Sequence, residues 1–90
     1  MEVRLVENEV RGAVVFDGLE QALIGFATQQ NNAPLAVYSL KKIILILSRD
    51  MSQVDAKEFF EFNIQSLWAG ERTPMVLFDT IPVEEAMSWV

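Results

Sequence analysis

The stretch from Met51 to Phe78 constrains the fold more than any other part of the chain. It carries, in order, a helix cap, an amphipathic helix, a stop signal, a polar loop and a strand. The Ser52 hydroxyl can accept from the unpaired N–H groups of a helix start, and Asp55, three residues on, can reach back to the Ser52 amide in a capping box. At 100° per residue, Ala56, Phe59, Phe60, Ile64 and Leu67 share one broad apolar face, with Glu58, Glu61 and Gln65 opposite. Gly70 supplies the stop. The spacing predicts a helix over about 53–69, a loop at Glu71–Pro74 and a strand over 75–78.

Upstream, Val3, Leu5, Val10 and Ala13 to Phe16 are β-prone around a polar Glu7-Asn8-Glu9, which fits one or two strands, and Asp17-Gly18 is a turn signal. Residues 19–28 carry two patterns. Leu19, Ala22, Leu23 and Phe26 match a helix stripe, whereas the alternation of Ala22, Ile24, Phe26 and Thr28 with Leu23, Gly25 and Ala27, and the cost of Gly25 inside a helix, about 1 kcal/mol, favour a strand. The strand is the reading adopted. Gln29 to Ala33 with Pro34 reads as a turn and Leu35 to Tyr38 as the return strand. Ser39 then caps a helix over about 39–50 with Leu40, Ile43, Ile44 and Leu47 as its core stripe. Leu45 and Ile46 are apolar on other sides and need cover of their own. Pro82 to Val90 reads as a short final helix with Val83, Ala86, Met87 and Val90 in register. The sum is one α+β domain over residues 1–90, a small, mostly antiparallel sheet with two main helices on one face and a short C-terminal helix.

Composition narrows the function. With neither His nor Cys among ninety residues, the usual general base, the usual nucleophile and any thiolate metal ligand are missing, so no catalytic residue is expected. A net charge of -6 and scattered basic residues disfavour direct nucleic-acid binding. The longest aliphatic run, Ile43 to Leu47, is far short of the ~18 residues of a membrane span, and the N-terminus lacks the pattern of a signal peptide. A cytoplasmic protein is the expectation, and the small size leaves room for a homodimer.

Within this frame the residues worth weighing are few. Glu58 and Glu61, with Asp17 or Asp79, could hold Mg²⁺ or Ca²⁺, but a solvated helix face accounts for them better, so neither metal nor cofactor is expected. Asn63 falls inside the apolar arc, where a buried amide needs partners, either a backbone segment or a ligand. Phe62 falls outside the arc and Trp68 at its margin. Trp68, Glu71, Arg72 and Thr73 form a corner of residue types common in binding hot spots, and Lys41-Lys42 stand at a helix start where amides favour anions. Asn63, Trp68, Glu71, Arg72, Thr73, Lys41 and Lys42 are therefore the candidate binding residues. Leu45, Ile46, Phe62 and Trp89 are the candidate interface residues.

The order and spacing of Ala22-Leu-Ile-Gly25, Val37-Tyr38, Ile43-Ile44, Met51-Ser52 with Ala56, Phe60-Glu-Phe-Asn63, Trp68-Ala-Gly-Glu71 and Thr73-Pro74 resemble a group of small proteins of tailed bacteriophages and prophages. The resemblance covers roughly Asp17 to Phe78. The chain departs from that pattern at Asp50, where a Gly often precedes Met-Ser, and at Ser66-Leu67, where smaller residues often precede the Trp. The resemblance implies a phage-encoded accessory protein acting in the cytoplasm of the infected bacterium, and no particular chemistry. Together with the missing catalytic side chains, it gives the expectation of a non-enzymatic protein that binds a host or phage protein. The alternatives are a sponge or sensor for a nucleotide-like anion, held near Asn63, Lys41 and Arg72, and a carboxylate-metal enzyme.

Overall fold

The computed structural model describes residues 3–7, 13–30, 32–67 and 70–80. Strands β1 (Arg4–Glu7) and β2 (Val14–Asp17) pair antiparallel with Leu5 opposite Phe16, and an Arg4–Asp17 ion pair of 3.3 Å spans their outer end. Gly18, at φ 96°, turns the chain out of β2 in a conformation that L side chains rarely adopt. One 3₁₀ turn, Glu20–Ala22, leads into β3 (Leu23–Ala27). The two patterns read over 19–28 are thus both present in succession: a helical turn that buries Leu19 and Ala22, then the strand. An irregularity between Leu23 and Gly25 shifts the register, which sets Gly25 opposite Val37 and Phe26 opposite Ala36.

The strand β4 (Leu35–Ser39) is the centre of the second sheet, whose order is β3-β4-β5, with β5 covering Met75–Leu77. Its pairing with β3 is antiparallel and its pairing with β5 is parallel, with Val37, Tyr38 and Ser39 opposite Met75, Val76 and Leu77. A parallel pair requires a long crossover. Helices α1 (Leu40–Leu47) and α2 (Gln53–Phe59) provide it. The strands therefore divide into two sheets rather than one, with two of the three pairings antiparallel.

Ser39 is both the last residue of β4 and the cap of α1: its backbone is extended and its hydroxyl accepts from the Lys42 N–H at 3.1 Å. The same role is played by Ser52, which accepts from the Asp55 N–H at 3.1 Å. The helix expected over 39–50 is regular only to Leu47 and then passes into turns. The second helix departs further from expectation. After Phe59 it widens into a π turn over Phe60–Ile64, closed by the Gln65 N–H on the Phe60 carbonyl, and it ends at Ile64 rather than near 69. A wider turn advances by less than 100° per residue. Ile64 thereby falls to the middle of the buried face, while Asn63 lags back beside Phe59.

Core packing joins all layers. Ile43, Ile44 and Leu47 of α1 and Ala56, Phe60 and Ile64 of the second helix close over Ala36 and Tyr38 of β4, with Val3, Phe16, Leu19 and Ala22 completing the cluster. Tyr38 links the two sheets. Its ring lies 4.9 Å from that of Phe16, and its hydroxyl oxygen accepts from the Phe16 N–H at 2.9 Å. The opposite face of the second sheet is apolar too, with Val37 half-buried and Met75 and Leu77 exposed. The expected helix over 82–90, with Trp89, lies outside the described residues, as does Trp68.

Candidate functional site

Among the described residues, the start of α1 carries the densest set of side-chain hydrogen bonds. The Asp79 carboxylate accepts from the Ser39 hydroxyl and, at 2.9 Å, from the Lys41 N–H, so that one hydroxyl donates to Asp79 while accepting from Lys42. Burial alone pushes the Asp79 carboxyl up. The Ser39 hydroxyl, the Lys41 amide and the Lys41 charge outweigh it, and the group titrates below its ordinary value. A carboxylate at a helix N-terminus is stabilised by the unpaired amides and the dipole. The anion expected near Lys41-Lys42 is thus supplied by the chain itself, from a residue 38 positions away.

Beside this point a groove of about 610 Å³ runs between α1 and α2. Leu40, Ile44, Phe60 and Phe78 line its apolar part, and the Phe60 and Phe78 rings meet edge to face at 6.1 Å. Leu45 forms an outer wall and is 61% exposed, while Lys41, Lys57, Glu61 and Gln65 stand among its polar lining. A second cavity, of about 680 Å³, lies between the 27–33 turn and the Glu71–Arg72 loop, and a third, of about 440 Å³, runs along Ile64, Leu67 and Pro74.

These cavities separate residues that the sequence suggested might act together. Lys41 lines the first and Arg72 the second, and Asn63 is exposed, its Nδ2 donating to the Phe59 carbonyl at 3.2 Å. The expectation of a buried amide at Asn63 is corrected by the π turn that rotates it outward. Arg72 donates to the Pro34 carbonyl at 3.0 Å, and the Thr73 hydroxyl donates to the Gly70 carbonyl at 2.7 Å, so this corner ties the loop to the turn before β4. Glu71 is exposed beside them, and Lys42 is exposed on α1. Among the interface candidates, Phe62 is 74% exposed, Leu45 walls the groove, and Ile46 is half-buried against the core. No family model, curated protein or solved structure matches the chain. Its functional reading therefore rests on its own residues.

Two features escaped the sequence reading as binding surface. Val54 is 68% exposed in the first turn of α2, and Met75 and Leu77 lie bare on β5. The alternation Met75-Val76-Leu77 signals a strand with two apolar faces, but which face is left open depends on the crossover. Asp79, weighed only as a metal ligand, has its signal in Ser39 rather than in its neighbours. Among the described residues no group of three or more acidic, His or Cys side chains is placed to hold a metal ion, and no helix is long and apolar enough to cross a membrane. Burial pushes the Tyr38 phenol above its ordinary value. The Phe16 N–H works against that shift and the Glu20 charge adds to it.

Proposed function

We propose that this is a non-enzymatic accessory protein, of the kind encoded by tailed bacteriophages, that works in the host cytoplasm by binding a host or phage protein. The observation that carries this reading is the exposure of bulky apolar side chains on the helix layer, where Leu45, Val54 and Phe62 are each more than half exposed. An isolated exposed leucine is ordinary, but several bulky side chains on one layer of a small domain mark a surface for another macromolecule. The absence of His and Cys supports the same reading, since a binding protein needs neither.

The test is affinity capture from infected cells with the wild-type chain and with Leu45→Asp and Phe62→Ser variants. A specific protein retained by the wild type and lost with the variants supports the reading. Equal retention by the variants, or retention of a metabolite alone, refutes it. The anion sponge has less support, because Lys41, Arg72 and Asn63 do not share a cavity.

A further inference from the structure

Between Glu20 and Lys41 the chain carries no charge: all thirteen acidic and all seven basic residues lie outside residues 21–40. That run holds β3, the turn after it and β4. Its first strand is also a free edge of the second sheet, since among the described residues β3 pairs with β4 alone. An edge strand presents a row of unpaired N–H and C=O groups, and monomeric proteins guard such a row with Lys, Pro, an inward charge or a bulge. The β3 sequence, Leu-Ile-Gly-Phe-Ala, has none of the first three. Among the described residues, the backbone of residues 24–27 makes no hydrogen bond beyond the ladder with β4. The bulge-like irregularity sits at the start of the strand, and Gly25, Phe26 and Ala27 run in step with Val37, Ala36 and Leu35.

The side chains on this edge are apolar and bare. Phe26 stands opposite Ala36, on the face of the sheet that carries the core, yet it is 54% exposed, and Ile24 is 43% exposed. Gly25 between them leaves room for a close backbone, because a Cβ there would meet nothing within 4 Å.

Charge selects the occupant. A chain of net charge -6 repels its own copies, and it does so least where its surface is uncharged. Arg49 and Arg72 touch the uncharged run at Gln21 and Pro34, both outside β3. The strand itself offers no charge for a basic or acidic partner to recognise. A second β3 suits it better, because a two-fold axis brings two identical edges together antiparallel and sets Ile24 and Phe26 of one copy beside those of the other.

We propose that this protein forms a two-fold dimer through β3, in which the free edges of two copies pair antiparallel into one six-stranded sheet of order β5-β4-β3-β3-β4-β5. The axis stands perpendicular to the sheet, so both helix layers lie on the same side of it. This inference rests on the strand edge and stands apart from the protein-binding reading.

Sedimentation of the full chain between about 1 µM and 1 mM tests it. A five-residue edge is smaller than the roughly 800 Å² per partner of a standard interface, so a dimer that dissociates on dilution is expected. Phe26→Lys is expected to weaken dimerisation about tenfold or more. Ala27→Lys, at an exposed position outside the core, should do the same with an unchanged circular dichroism spectrum. Leu77→Lys, on the open face of the sheet, should leave dimerisation as it is. In the wild type, amide exchange across residues 24–27 should slow several-fold as concentration rises, and in the two edge variants it should not. A chain that stays monomeric throughout the range overturns the proposal. So does a dimer that survives both edge substitutions, or one that Leu77→Lys abolishes, which would place the contact on the sheet face.

Discussion

Replacing Tyr38 by Phe removes a single oxygen and tests how the two sheets are joined. The phenol oxygen accepts from the Phe16 N–H at 2.9 Å inside the core, and in Tyr38→Phe that amide has no acceptor in its place. An unsatisfied buried backbone donor costs about 1–3 kcal/mol, whereas the ring packing against Phe16 at 4.9 Å is retained and no large cavity opens. For a domain of this size each kcal/mol lowers the melting temperature by roughly 4–8 °C. Urea and thermal unfolding followed by circular dichroism should both show the loss, with an unchanged denaturant slope. The Phe16 amide should also exchange its hydrogen faster. Alkaline pH supplies an independent check. The folded pKa of Tyr38 lies above the unfolded value of about 10, so its contribution is complete below that pH and is lost as pH rises through the folded value. Tyr38→Phe should lack this alkaline loss. A variant within about 0.5 kcal/mol of wild type, with the same alkaline limb, refutes the reasoning and means that the Phe16 N–H reaches water or another acceptor.

Other expectations follow from the same structure. Asp79→Asn should flatten the acid limb of the stability curve: the folded pKa lies below the ordinary value, so the stabilisation is present above about pH 4 and lost as pH falls through the folded pKa, read by unfolding between pH 2 and 7. Leu47→Ala, at a fully buried position between the helices and the sheet, should cost about 2–5 kcal/mol in chemical denaturation. Gly70→Ala places a side chain at φ 83° and should destabilise by about 1–2 kcal/mol despite open space around it, whereas a loss below about 0.3 kcal/mol means that the loop relaxes to another conformation. Phe62→Ser should leave thermal stability within about 0.5 kcal/mol of wild type, which makes it a clean probe of binding.

The candidate site was only partly legible. Leu45 and Phe62 fall off their helix stripes, which makes them surplus apolar positions in the sequence, and both are exposed. Asn63, Lys41 and Arg72 do not share a pocket: Lys41 and Arg72 line different cavities, and the hydrogen bond from Gln65 back to Phe60, which no helical wheel contains, widens the turn and shifts Asn63 to the exposed Phe59 edge of the apolar arc. The partner of the α1 start was also hidden, since Asp79 follows a strand and looks like an ordinary loop carboxylate until β5 docks beside β4.

What the sequence determined by itself is local. The Ser39 and Ser52 caps, the Asp17-Gly18 turn and the apolar stripes of both helices depend on residues within about four positions of one another, where chain geometry leaves few choices. Tertiary structure decided the rest: the parallel pairing of β4 with β5, the Tyr38 bridge over 22 residues, the Asp79 bond over 40, and the split into two sheets. Those partners meet only because burying Ile43, Leu47, Phe60 and Ile64 folds the α1–α2 layer back over β4, and a non-directional force of that kind leaves no mark at the positions it brings together.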